Sequence, residues 1–384
     1  MSCTNLKPFK IKNNKIIKTE YYDVSKKNRK SVLEYKNNIL KKEINYYKNG
    51  NIKEIIEYKN GLKNGVTLLY NENGSLCKKE TYFENQLNGE VIEYYSNVIP
   101  KSIYNYKNNV LNGKYRKFYM TGSVKEEGEY KNGLKNGEVN KYNENGDIIL
   151  SEYYKNNKKN GISIEYYPKS FDFPNLIKKS EVMYQNDLPI GKKIVYDING
   201  NIISIIDYSK EIAEETIYYN YEQNKIKRKN YLINNKLEGI SKVYYDNPQN
   251  SLKAEYNYKN SMLNGEIIEF YENGNIREII NYKNNLKNGI ETYFYPNKNK
   301  KYEITYKNGQ ANGPFRYYYE DGILQLEGSY KNRRFDGKIT SYYKNGNIQS
   351  IEFYKENKKI NTHYFYNKSG KLEYTIDYTK EKKN

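Results

Sequence analysis

Few side chains here can make or break bonds. The 384-residue chain has one histidine, His363, and two cysteines, Cys3 and Cys77. A single histidine excludes any metal site or relay that needs a second one. His363 lies in "NTHYFYN" and reads as an ordinary strand residue. Two cysteines make neither a disulfide framework nor a metal cluster, so each reads as a small residue with a free thiol. No phosphate-cradling G-x-G-x-x-G or G-x-x-x-x-G-K-[ST] loop is present. Glu72, Glu144, Asp197 and Glu272 flank Asn-Gly pairs, as in "YNENG". A helix-flanked calcium loop needs several spaced oxygen ligands and a closing glutamate, which these segments lack. They read as turn polarity. Many glutamates could supply a hydrolytic carboxylate pair, but none stands out. The expectation is a chain with no catalytic residue, cofactor or metal, hence not an enzyme. Binding chemistry is left to two phenylalanines, Phe171 and Phe173, whose meaning depends on the elements around them.

Those elements repeat. The glycine closing each "xNG" falls at Gly65, Gly89, Gly113, Gly137 and Gly161, a period of 24, and resumes at Gly191 after six extra residues. A second glycine series runs between them, through Gly50, Gly74, Gly122 and Gly146, with Val98, Asn224 and Lys298 at three of its places. Two aromatic columns keep the same period. One runs Tyr46, Tyr70, Tyr94, Phe118, Tyr142, Tyr166 and onward to Tyr366. The other runs Tyr58, Tyr82, Tyr106, Tyr130, Tyr154, Tyr184 and onward to Tyr378. Each is aromatic in 13 of 14 units, Asn220 and Leu232 being the exceptions, and the columns stand 12 residues apart. Repetition at this period marks a stacked-repeat architecture.

Twelve residues hold one strand and one turn, not a helix with its connections. Tyr, Ile, Val, Phe and Thr fill the runs, and Asn-Gly punctuates them. Asn-Gly accepts positive φ at both centres of a type I′ hairpin turn. In "EIIEFYENGNIREIINYKNN" (266–285) the strands read "EIIEFY" and "NIREIINY". The period-2 rule then places Ile276, Ile280 and Tyr282 on one side. The predicted fold is all-β: an elongated, single-layer antiparallel sheet of tandem 24-residue β-hairpins, held by cross-strand Tyr and Ile ladders. Residues 1–41 read as a degenerate N-terminal repeat or cap. Residues 42–384 read as about fourteen hairpin repeats with a longer loop near 168–181.

Net charge is +19, with 48 tyrosines and no tryptophan. Mean hydropathy is −1.05, low enough for disorder, but 15% aromatics oppose that. Lys, Asn, Ile and Tyr share A/T-rich codons, so genome composition explains much of the charge. The alternative is functional charge, with Lys and Tyr interleaved on a sheet that binds nucleic acid or an acidic membrane surface. No apolar run reaches the length of a signal peptide core or a membrane span. The expectation is a soluble, cytoplasmic protein.

The unit "NGEVIEYYxNGxIxxxxxYKNGxL" resembles the variant MORN (membrane occupation and recognition nexus) repeat over about 42–384, and most of all the bacterial type seen in antitoxin-like proteins of toxin–antitoxin modules. The eukaryotic form carries Trp and His at set positions, whereas this chain has only His363. The resemblance implies a sheet of hairpins that binds protein partners, with an antitoxin or immunity role as its usual label.

Three local departures lead to expectations. In 215–238, Glu215 replaces the repeat glycine while Tyr219 and Tyr231 lie one place early, which predicts a one-residue shift absorbed by a bulge or tightened turn. Lysines in "KPFKIKNNKIIK" and "KEKKN" are expected to protect the open sheet edges, with a frayed tail after Tyr378. Between Tyr166 and Tyr184 lie eighteen positions instead of twelve, and "YPKSFDFPNLIKKSE" is expected to lengthen a hairpin tip. Phe171 and Phe173 then serve either as exposed partner-binding anchors, stiffened by Pro168 and Pro174, or as rings folded back to fill a gap.

Overall fold

The computed structural model describes residues 15–96 and 98–379. No helix occurs among them. The chain divides into two compact units, Met1–Gly200 and Asn201–Asn384. In each, strands follow one another as an antiparallel meander. In the first, Ile52–Lys59 pairs with Leu62–Tyr70, which pairs with Leu76–Phe83 and onward. In the second, Gly265–Phe270 pairs with Ile276–Lys283, then with Gly289–Phe294 and Lys300–Lys307. The all-β hairpin repeat is therefore present in both units. Hairpin geometry also covers Lys15–Tyr21 and Arg29–Lys36. The lysine-rich segments 7–14 and 380–384 lie outside the described residues.

Two kinds of turn alternate. After each "YK", two residues link the strands. Lys59 pairs with Leu62, leaving Asn60 and Gly61 at φ 54° and 81°. Positive φ at both centres is what type I′ demands. The "YxNGN" turns differ from expectation. Tyr47 N donates to Asn51 O at 2.8 Å, and only Gly50 has positive φ, 89°. Here the asparagine stays right-handed and glycine alone takes the left-handed place, as in a three-residue loop with a bulge. The asparagines have another task. Asn49 Nδ2 donates to Glu72 O at 2.8 Å, and Asn85 Oδ1 accepts from Lys63 N at 2.7 Å. Each of these bonds ties a turn to the next one.

The two aromatic columns lie on opposite faces. Tyr154 pairs with Gly137 and shares its face with Glu152 and Val139. Tyr142 follows Lys141, which pairs with Leu150 on that face, so Tyr142 points the other way. A one-residue register shift accompanies Tyr142, and likewise Tyr70, Phe270 and Tyr342. This corrects the expected alignment of Ile276. It pairs with Phe270, whereas Glu278 pairs with Glu269, so the bulge at Arg277 turns Ile276 away from Ile280 and Tyr282.

The Tyr154 face carries nearly all buried residues. A central rung runs Ile56, Thr67, Glu80, Val91, Tyr104, Tyr115 and Gly128 from strand to strand. Tyr115 and Val139 are 1% and 0% exposed, because long Tyr and Lys side chains close over them. One face thus supplies a core without a second layer.

The 215–238 segment holds a two-residue shift, not one. Leu232 stays in its column, paired with Leu237 on one side and Ala213 on the other, and Ala213 takes the glycine's place instead of Glu215. Tyr218 occupies the other column, because Tyr219 makes the next-unit hydrogen bond to Tyr244 O that Tyr119 makes to Tyr142 O. The turn before Ala213 is shorter by two residues and the turn after Tyr218 longer by two. An even shift keeps every side chain on its own face, whereas a single-residue slip would invert them.

Candidate functional site

On the buried face, carboxylates are held by tyrosine hydroxyls and lysines. Glu126 Oε1 accepts from the Tyr115 hydroxyl at 2.7 Å and meets Lys135 at 3.1 Å and Lys117 at 3.2 Å. Burial alone would raise its pKa, but the Tyr115 hydrogen bond and the two ammonium groups outweigh it and bring the carboxyl to about 2. Glu152, 3% exposed, accepts from Tyr154 at 3.0 Å and pairs with Lys141 and Lys159. Lysines also cap the tyrosine column: Lys63 lies over Tyr82, Lys135 over Tyr154 and Lys287 over Tyr306, at 5.3, 5.5 and 5.0 Å. His363 is fully buried between Tyr354 and Tyr378 and shares its Nε2 with the Phe353 backbone. The half-buried Cys77 thiol donates to Leu69 O at 3.3 Å. Cys3 lies outside the described residues.

One hairpin departs from the repeat. Lys158–Tyr166 and Lys178–Gln185 pair from Gly161↔Tyr184 to Tyr166↔Lys178. Tyr167 N donates to Ile177 O at 3.0 Å, closing the loop as Tyr47 N and Asn51 O close a shorter one. The extra residues therefore sit wholly in the tip. Ser170 and Phe173 exchange backbone hydrogen bonds of 3.1 and 3.2 Å, and the Ser170 hydroxyl accepts a second bond from Phe173 N. This tight turn separates the two rings. Phe171 is 100% exposed, whereas Phe173 is half-buried.

The same hairpin carries a feature that reading along the sequence missed. On the face opposite the core, Tyr153, Ile162, Met183 and Ile190 stand side by side, each between 38% and 48% exposed. Ile162 pairs with Met183 and Met183 with Ile190, and Tyr153 packs against the bare Cα of Gly161. In the preceding strands the matching pairs are Glu90 with Asn105 and Lys114 with Glu129. These help line a polar groove of about 560 Å³ in which Arg116 Nε meets Glu127 at 3.0 Å. Ligand pockets are mostly apolar, so this groove does not qualify. The signal for the apolar band was Ile162, the residue after its repeat glycine, with Met183 as its cross-strand partner.

The MORN repeat variant family matches residues 40–60, 111–132, 263–284, 287–308, 311–332 and 335–356. With the hairpin meander of both units, these matches support a MORN-repeat protein. The long-loop hairpin falls between the second and third matched spans. No curated protein matches the chain. Among solved structures, it is similar to the Photorhabdus luminescens Tc holotoxin pore, at 9% identity and a TM-score of 0.18 over 94% of this chain and 23% of that one. It is also similar to TcdB2–TccC3 without the hypervariable C-terminal region, at 10% identity and 0.18 over 95% and 23%. The chain thus spans about a quarter of their length. At that TM-score the likeness adds nothing to the reading of fold or function.

Proposed function

We propose that this chain is a non-enzymatic binding scaffold that takes a protein partner at the long-loop hairpin. One observation carries the reading: a lengthened tip ending in a fully exposed Phe171 and an exposed apolar band occur on the same hairpin. In stacked repeats each unit contacts its neighbours only, so stacking asks for the same residues in every unit. A departure that stacking does not need is free to serve recognition.

The resemblance to antitoxin-like repeats makes a toxin-type protein the first partner to test, and an antitoxin or immunity role belongs to this proposal. Binding of nucleic acid or an anionic membrane by the Lys/Tyr sheet is less well supported. The lysines interleaved with tyrosine on the buried face already lie over those rings or against glutamates. The experiment replaces Phe171 and Phe173 together by Ser. Loss of a specific co-purifying protein, with melting temperature unchanged, supports the reading. Retained binding, or binding only to nucleic acid with steep salt dependence, defeats it.

A further inference from the structure

We propose that a groove in the second unit binds a neutral saccharide. This goes beyond the scaffold reading and rests on other residues. The groove holds about 300 Å³ and is lined by Tyr317, Tyr319, Gln325, Leu326, Ser341 and Gln349. That volume suits a small ligand. Its floor follows from strand pairing. Tyr317 pairs with Leu326 and Leu326 with Ser341, so the three share the buried face across adjoining strands. Its opening follows from the bulge beside each column aromatic. The inserted residue is Lys227, Lys253, Arg277 and Lys301 in earlier repeats of this unit. Lys227 and Lys253 lie over Tyr219 and Tyr245, at 5.5 and 5.4 Å, and Lys301 over both Tyr293 and Tyr295, at 5.5 and 5.6 Å. Gln325 and Gln349 take that place in the next two repeats. A neutral amide thus stands where a lysine would cover Tyr317 and Tyr319. Both glutamines are exposed, and neither amide has a hydrogen-bond partner among the described residues.

Hydrogen-bonding capacity selects the occupant. Each free amide offers both an acceptor oxygen and an NH₂ donor. The Ser341 and Ser350 hydroxyls lie 2.7 Å apart, and Ser350 donates to Glu352 at 3.1 Å. Ser341 is therefore the donor to Ser350 and keeps only lone pairs for a ligand. A phosphate or carboxylate has no hydrogen to give it and would lie against the electron-rich face of Tyr317. A cation meets Lys344, which already stands 5.7 Å from the Tyr319 ring. Of the charged residues nearby in sequence, Arg316 and Glu327 pair with each other on the opposite face. Glu320, Asp321, Lys344 and Glu352 carry both signs, and none of them lines the groove. A saccharide satisfies every group. Its C–H face packs on Tyr317 and Leu326, and its hydroxyls donate to Ser341 and exchange hydrogen bonds with the two amides.

The test is ligand-observed NMR on the full chain with glucose, galactose, N-acetylglucosamine, maltotriose and cellotriose. Gln325→Lys/Gln349→Lys restores the residue that earlier repeats carry, and Tyr317→Leu removes the ring but keeps an apolar floor. Circular dichroism and thermal melting establish that both variants are folded. The expected result is saturation transfer to at least one of these sugars. Its affinity falls about tenfold in the lysine variant, the loss expected of two hydrogen bonds, and is insensitive to salt. Tyr317→Leu weakens it as well. No signal from any of the sugars, or equal binding by the lysine variant, overturns the proposal. So does binding of adenosine, uridine or choline in place of the sugars. Phe171→Ser/Phe173→Ser leaves sugar binding unchanged, so this proposal and the scaffold reading fail separately.

Discussion

The Tyr119 hydroxyl donates to the carbonyl oxygen of Tyr142, 2.8 Å away and 23 residues further on. Tyr47 does the same to Tyr70 O, Tyr271 to Phe294 O and Tyr343 to Tyr366 O, at 2.8, 2.7 and 2.8 Å. A side chain of one repeat thus fastens the backbone of the next. Where Asn71, Asn143 or Asn367 takes the place, its amide hydrogen-bonds within its own turn instead. The tyrosine doublets of the sequence are explained by this bond. The first ring belongs to a column and the second is a tie.

Tyr119→Phe removes one tie and leaves the ring. The expected loss is about 0.5–1.5 kcal/mol, the usual net worth of one such hydrogen bond. Urea denaturation measures it, and an unchanged midpoint would show that water replaces the bond at no cost.

Gly128→Ala should cost more, about 1–3 kcal/mol, through overpacking. A Cβ there would lie 2.9 Å from Val139 Cγ2, 3.0 Å from Tyr115 Cε1 and 3.2 Å from the Glu138 carbonyl oxygen. Val139 and Tyr115 are fully buried on the central rung and have nowhere to move. Thermal melting decides, and a melting temperature equal to wild type would refute the packing described.

Glu278 should make stability depend on pH near neutrality. Burial, then the hydrogen bond and charge of Glu291, push its carboxyl up to about 7. An unfolded chain ionises glutamate near 4.3, so between about 4.3 and 7 the folded state holds a proton the unfolded state has lost. Stability therefore falls as pH rises through that window. Glu291 is shifted downward, so its own contribution is lost only at lower pH. Glu278→Gln has no proton to lose and should gain several degrees over wild type at pH 8 but little at pH 5. Parallel melting curves at the two pH values would contradict the shared proton.

Deleting residues 168–173 should leave the sheet intact. The Tyr167–Ile177 hydrogen bond closes the loop at its base, and shorter loops closed the same way occur in other units. The melting temperature should stay within about 2 °C, the scale expected of a loop outside the packed face. A large drop would mean that the half-buried Phe173 belongs to the core.

The period, the strand runs and the type I′ turns after each "YK" were legible because each rests on local chemistry repeated many times, whereas the Asn-Gly of the "YxNGN" turns has positive φ at glycine alone. The opposite facing of the two aromatic columns was not. It depends on a one-residue bulge at Tyr142 and its counterparts, and a bulge leaves no mark in the repeat length. The shift at 215–238 was visible as a disturbance, but its size depends on turns whose lengths compensate. Phe171 and Phe173 looked equivalent in sequence until the Ser170–Phe173 turn distinguished them. The apolar band needed strand pairing, because Ile162 and Met183 are neighbours only across a long loop.

The scaffold account is tested most directly by photocrosslinking in the native host. A photoreactive phenylalanine analogue replaces Phe171, which is fully exposed, and in parallel Met120, which is 72% exposed at an ordinary turn. The account predicts one predominant protein adduct from position 171 and none of the same mass from position 120. Identical adduct patterns from both positions, or none from 171, would contradict it.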